Sequence, residues 1–284
     1  MECVYKKNLV EIYRITPGLY FRKADLMSRG QANGAYIVGN GAVGVVDVPT
    51  EEAAIEIENE AMLLFGMPVS HIFLTHGHED HMGGLPRFLE RQVTVFCSHC
   101  LLDLLIQKGS PHKATLVGVK DIMRVGMPGA EVELHALEGT AHSPWDMLIR
   151  LPEEGYLCAG DAISDFEFLH FHYSNMENWI SHLNRLSGGS DKYIIPGHGD
   201  IYPYEIVGQL ADFMGILRKA AGSCLSKLSP EQIMNISEKQ INAIVEEYLS
   251  GGSTDAGVIR EKARTGAVRE LRMALRYLLF RELK

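Results

Sequence analysis

The 284-residue chain reads as an α/β protein carrying a helical tail. Short β-rich segments joined by glycine-bearing turns fill the first part, helices of 3.6-residue apolar period are set among them, and beyond about Tyr204 the pattern is almost wholly helical. Hairpin signals outnumber those of a doubly wound sheet. A chain of this length buries roughly three quarters of its unfolded surface, so no cross-linking is needed to hold it together.

The elements follow in order. Residues 36–38 and 43–48 flank GNG at 39–41, where glycine supplies the positive φ that a hairpin turn needs. From Glu51 to Phe65, Ala54, Ile57, Ala61 and Leu64 recur at helical spacing, and Gly66 and Pro68 end the run. Residues 69–75 read as a buried strand, and a helix is expected to start near residues 84–86 because proline suits a first helical turn. Residues 93–97 form a further strand, followed by a helix through Leu101, Leu104 and Leu105 to Gly109. The stretch 110–130 yields no clear period, whereas 131–137, 146–151, 156–159 and 192–195 read as strands. Between the last two, Trp179, Leu183 and Leu186 mark one face of a helix over 175–186. The tail is read as helices over 210–221, 229–249 and 255–283, with Ser229 as an N-cap and Gly251–Gly252 as a break. The expected organisation is an α/β domain over 1–203 and a helical accessory region over 204–284 packed on it.

Composition narrows the class of function. A net charge of −9 and a pI near 5.7 oppose a broad nucleic-acid footprint, which relies on clustered Lys and Arg. No apolar run reaches the ~18 residues of a membrane span, and the N-terminal stretch lacks the apolar core of a secretion signal. The five cysteines lack framework spacing, consistent with reduced thiols, so a cytoplasmic location is expected. The expected partner is a small-molecule substrate, with neither nucleic acid nor membrane.

The stretch FLTHGHEDHMGG at 73–84 crowds three imidazoles and two carboxylates into a strand exit. Such a cluster is costly to order unless a metal ion organises it. His76 and His78, two apart in extended chain, turn their rings to one side, while Asp80 and His81 need a sharp turn to point together. The loop has too few donors to close two sites. Further donors stand at the ends of later strands: His142 in EGTAHSPWD, Asp161 in CAGDAI and His198 in IIPGHG.

With these motifs in this order, the chain resembles the metallo-β-lactamase superfamily over residues 12–202. His76, His78, Asp80 and His81 match the family's HxHxDH signature, and Asp47 in VVDVPT matches its early strand-end aspartate. The resemblance implies an αβ/βα four-layer sandwich of two mixed β-sheets flanked by helices, with a C-terminal helical extension. It also implies two divalent metal ions, zinc by default and iron or manganese as substitutes. One ion would use His76, His78 and His142, the other Asp80, His81 and His198. Asp161 would bridge them, with Asp47 supporting the cluster from behind. A water held between two ions ~3.5–4 Å apart is acidified toward neutrality and aimed at an electrophile, and Asp80 is a candidate proton relay as well as a ligand.

The implied activity is hydrolysis of a small ester, lactone, thioester or phosphoester. Asp161 stands where β-lactamases of the superfamily usually carry Cys or Ser, so β-lactam hydrolysis is not expected. Ser164 replaces the tyrosine of quorum-signal lactonases. Two alternatives stay open: a mononuclear iron persulfide dioxygenase-like oxidoreductase and a non-catalytic binding module. Candidate pocket residues are Trp145 after HSP and the aromatic stretch 166–173, with His170, His172 and Tyr173. The tail is a candidate pocket cap or homodimer surface. His71 and His135 are read as packing or surface residues, and Cys97 with Cys100 as neither zinc site nor redox pair.

Overall fold

A computed structural model describes residues 1–25, 31–107, 113–167 and 169–282. Its contacts divide into two compact units, Met1–Ser164 with Gly189–Tyr204 and Asp165–Gly188 with Glu205–Lys284.

The first unit holds two mixed sheets. In the larger, β1 (Glu2–Lys7), β2 (Val10–Arg14), β3 (Leu19–Ala24), β4 (Gly34–Gly39) and β5 (Ala42–Val46) form an antiparallel meander. It continues through α1 (Glu51–Phe65) into the parallel strands β6 (Val69–Phe73), β7 (Thr94–Ser98) and β8 (Thr115–Val119). The short helices α2 (Glu79–Met82) and α3 (Leu85–Leu89) follow β6, and α4 (His99–Gln107) follows β7. The smaller sheet runs β14 (Tyr202–Pro203), β13 (Tyr193–Pro196), β12 (Tyr156–Gly160), β11 (Met147–Leu151), β10 (Ala130–Ala136) and β9 (Ile122–Met127).

Strand alternation builds two cores. Ile12, Tyr36, Val43, Val45 and Ile72 face α1 and α3, which supply Ala54, Ile57, Leu85 and Phe88. The opposite faces send Leu19, Phe21, Ile37, Val46 and Phe73 against Val132, Leu134, Ile149, Cys158 and Ile195 of the second sheet. Gly39 marks that approach, since a Cβ there would sit 2.0 Å from the Pro128 carbonyl oxygen. Thr50 caps α1 by accepting from Ala53 N, and Gly66 ends it in the left-handed region at φ 66°.

The second unit is helical: α5 (Met176–Leu186), α6 (Ile206–Leu225), α7 (Pro230–Met234), α8 (Glu238–Ser250), α9 (Thr254–Ala263) and α10 (Ala267–Glu282). Leu210, Phe213, Met214 and Leu217 of α6 are buried, and α6 packs on α5, α8, α9 and α10.

Several expectations are revised. The unreadable stretch 110–130 holds β8 and β9, and β1 to β3 precede the first assigned hairpin. The helix over 229–249 is broken because Ser237 and Gln240 form a second capping box after that of Ser229 and Gln232. The helix over 255–283 is broken at Arg264, whose φ is 44°. Residues 108–112 lie outside the described set, and with them the end expected at Gly109. Asp165–Gly188, expected within 1–203, groups with the tail helices, because α5 buries Met176, Trp179 and Leu183 and packs on α6. No described helix is long and apolar enough to cross a membrane.

Candidate metal centre

Every expected donor lies in the first unit, at the ends of β6, β12 and β13 and in the turn before β11. His76 and His78 follow β6 in extended chain. Asp80 and His81 sit on α2, and this helical turn brings adjacent side chains into one group. His142 lies five residues before β11, Asp161 just after β12, and His198 just beyond β13.

Two groups of donor atoms result, each within 4.8 Å internally: His76, His78, His142 and Asp161, and Asp80, His81 and His198. In the first, His78 Nδ1 stands 3.0 Å from His76 Nε2 and 3.1 Å from His142 Nε2. Asp161 links the groups, with Oδ2 3.8 Å from His142 Nε2 and Oδ1 3.3 Å and 3.7 Å from the Nε2 atoms of His81 and His198. His198 Nε2 also meets Asp80 Oδ2 at 3.2 Å. Gly197 permits this crowding, as a Cβ there would fall 2.3 Å from Asp161 Oδ1.

His81 Nε2 and Asp161 Oδ1 are buried and face each other, yet neither has a directed hydrogen bond among the described residues. Orphaned donors of this kind, beside five imidazoles and two carboxylates without thiolate, fit a divalent cation of the zinc, iron or manganese type.

Charge follows the same geometry. Burial pushes His81 down, but Asp161 and Asp47 outweigh it and hold the ring well above its usual range. Burial pushes Asp161 up, and His81, His198 and His142 reverse this to hold it well below the carboxylate range. Burial, reinforced by the positive fields of His81 and His142, drives His76 well below its ordinary value. Asp80 is lowered, its burial overcome by the hydrogen bond from His198.

Asp47 stands behind the cluster at φ 59°, a backbone conformation costly for a non-glycine residue. Its Oδ2 meets His81 Nδ1 at 2.7 Å, and its carboxylate accepts from Thr75 N at 2.8 Å and Thr75 Oγ1 at 2.7 Å. This carboxylate–imidazole contact leaves His81 Nε2 facing Asp161.

Three supporting residues escaped the sequence reading. Thr75 Oγ1 lies 3.1 Å from His76 Nδ1, and its place just before the signature was the available signal. Asp146 accepts from Ser143 N at 2.8 Å and Ser143 Oγ at 2.7 Å, and burial lifts it to about 7 against those bonds. Asn33 donates to the carbonyls of Pro196 and Gly199, tying the His198 loop to the first sheet, and no local pattern marks it.

Trp145 stands edge-on to His78 with centroids 6.4 Å apart, and Ser98 Oγ donates to its carbonyl. His170, His172 and Tyr173 belong to the second unit. There His170 meets Arg269 Nη2 at 3.1 Å, and His172 lines a cavity with α10. His71 packs on Phe73 and Phe96, and His135 contacts Glu133. Burial raises the Cys97 thiol to about 12, and no metal-capable group among the described residues includes a cysteine.

The family model described as "Metallo-beta-lactamase superfamily" matches residues 27–198. Metallo-beta-lactamase IND-1 of Chryseobacterium indologenes is 25% identical over 200 residues, 68% of this chain and 80% of that protein. An atrochrysone carboxyl ACP thioesterase of Pseudocercospora fijiensis is 32% identical over 136 residues, 47% of this chain and 38% of its own length, so the chain spans well under two thirds of that relative. A solved metallo-beta-lactamase from Pontibacter korlensis superposes with a TM-score of 0.63 at 16% identity, covering 72% of this chain and 99% of that one, a likeness of fold. Two mixed sheets with flanking and C-terminal helices match that sandwich fold.

Proposed function

The chain belongs to the metallo-beta-lactamase superfamily, and from that premise we propose that it is a dinuclear metal-dependent hydrolase of small esters or thioesters, with lactones and phosphoesters as further substrate classes. The observation that carries the reading is the position of Asp161, whose two oxygens face two separate groups of imidazoles. His76, His78 and His142 would hold one ion, Asp80, His81 and His198 the other, and Asp161 would bridge them. Bound there, two zinc, iron or manganese ions would supply Lewis-acid polarisation and a water acidified toward neutral pH.

The chain's own residues do the positioning. Asp47 holds His81 through Nδ1, and Thr75 approaches His76 on its Nδ1 side, so both rings keep Nε2 for the cluster. Asp80, in contact with His198 and partly open to solvent, would serve as a proton relay as well as a ligand, a role its exposure supports. Trp145, edge-on to His78, would wall the pocket on that side. The relative named a thioesterase makes thioesters the first class to test.

The test is elemental analysis of protein purified without chelator or added metal, followed by hydrolysis of matched oxyester, thioester, lactone, phosphoester and β-lactam probes. About two ions per chain and chelator-sensitive hydrolysis of an ester or thioester support the reading. A single iron per chain with oxygen consumption on a persulfide, or β-lactam turnover above all other probes, overturns it.

A further inference from the structure

The helical unit holds a cavity of about 470 Å³, within the size range of small-molecule sites. One wall is α10, where Met273, Arg276, Tyr277 and Phe280 follow the 0, 3, 4, 7 spacing of a single helix face. A face of that kind ordinarily closes on a core; here it opens on space. The opposite wall is the chain before α5, where the buried Phe171 packs its ring 6.0 Å from that of Trp179. Tyr277 ties the walls together, accepting from Met176 N at 3.0 Å and donating to Glu177 at 2.9 Å. Phe280, 64% exposed, stands at the open side.

The lining is chemically divided. Phe171, Tyr277 and Phe280 offer aromatic surface, Arg276 and Arg281 offer guanidinium groups, and no carboxylate is among the described lining residues. Arg281 is held by Glu177 and the Tyr277 hydroxyl. Arg276 is less committed: one Nη bonds Glu238, a side chain 63% exposed, while its buried Nε–H has no acceptor among the described residues. A surface pair of this kind is weak enough to share with an incoming anion, and a guanidinium fork suits a carboxylate. Met273 adds an adaptable thioether to the apolar side.

We propose that this cavity binds a small amphipathic carboxylate, its head on Arg276 and its aromatic or aliphatic body between Phe171, Tyr277 and Phe280. The assignment stands independently of the metal centre.

The test titrates decanoate and 2-naphthoate into the full-length, metal-loaded protein by calorimetry, with decanol as the uncharged control. One-to-one carboxylate binding is expected to persist after chelation and to weaken about tenfold or more in both Arg276→Gln and Phe280→Ala, with decanol weaker throughout. Phe280→Ala alters an exposed side chain, and thermal unfolding of both variants separates lost binding from lost fold. No saturable binding at millimolar ligand, equal affinity in the two variants and the parent, or binding abolished by chelation overturns the proposal. Weakening in Phe280→Ala alone overturns the carboxylate assignment.

Discussion

Asp161 in the strand-built unit and Glu270 in the helical unit are carboxyls withdrawn from water, at 6% and 0% exposure, yet they settle in opposite charge states. Burial raises both. Around Asp161 three imidazoles reverse the effect and hold it ionised. Around Glu270 one guanidinium, Arg269 at 2.6 Å, is opposed by Asp165 and Glu167, and the carboxyl rises to about 8. Glu270 Oε2 has no hydrogen-bond partner among the described residues. Burial sets the cost of a charge, and the number and sign of its neighbours decide whether that cost is met. A carboxylate ringed by imidazoles suits a cation, whereas one facing a single shared guanidinium keeps a proton.

The largest effect is expected from Asp161→Asn, which keeps the shape and removes the anion. Metal content should fall in both groups, and hydrolysis should fall by more than about a hundredfold, beyond the loss typical of an outer-shell partner. Unchanged metal stoichiometry would collapse the contrast. Asp47→Asn comes next. Asparagine tolerates the left-handed backbone, so the change isolates the charge behind His81. Metal affinity should drop about 10–100-fold with the fold intact, as read by metal-buffer titration and circular dichroism.

Glu270→Gln probes the other pole. The folded protein keeps a proton up to about pH 8 that an unfolded glutamate, near 4.5, has already released. Stability from this group is therefore full below about pH 4.5 and is lost as pH rises toward 8. The glutamine variant should escape that loss, gaining on the order of 2–4 kcal/mol over the parent at alkaline pH and little at acid pH. Urea midpoints across pH provide the readout; parallel curves would show that Glu270 is not held neutral. The smallest effect is expected from Trp145→Ala, which removes the ring beside His78 without touching a candidate donor. A few-fold change in KM at constant metal content is the expected result, and loss of metal would reassign Trp145 to holding the His142 turn.

Much of the first unit was legible. The hairpin around GNG, α1 with its left-handed glycine stop, and the parallel strand leading to His76 depend on local period and turn chemistry. The candidate donors stand out for the same reason, since imidazoles and carboxylates at strand exits are expensive without a purpose, and the structure brings them into two groups. β9 carries a period of two, with Met123, Val125 and Met127 facing inward, but it is short, and Gly126 and the exposed apolar Ile122 on its outer face blur the pattern. In the tail the apolar period runs on through the breaks and suggests three helices, although Ser237 with Gln240 repeats the start signal of Ser229 with Gln232.

By itself the sequence determined the chemistry available at each strand end and the local turns that present it, because spacing and rotamer direction act over a few residues. Tertiary structure decided how closely the candidate donors of each group approach one another. Asp161 reaches His142 with one oxygen and His198 with the other because β12 lies between β11 and β13, while His81 comes to the same oxygen from α2, after β6 of the other sheet. Asn33 then binds the His198 loop across 163 and 166 residues of chain. A period of two encodes the face a side chain takes, but not which distant strand will lie beside it.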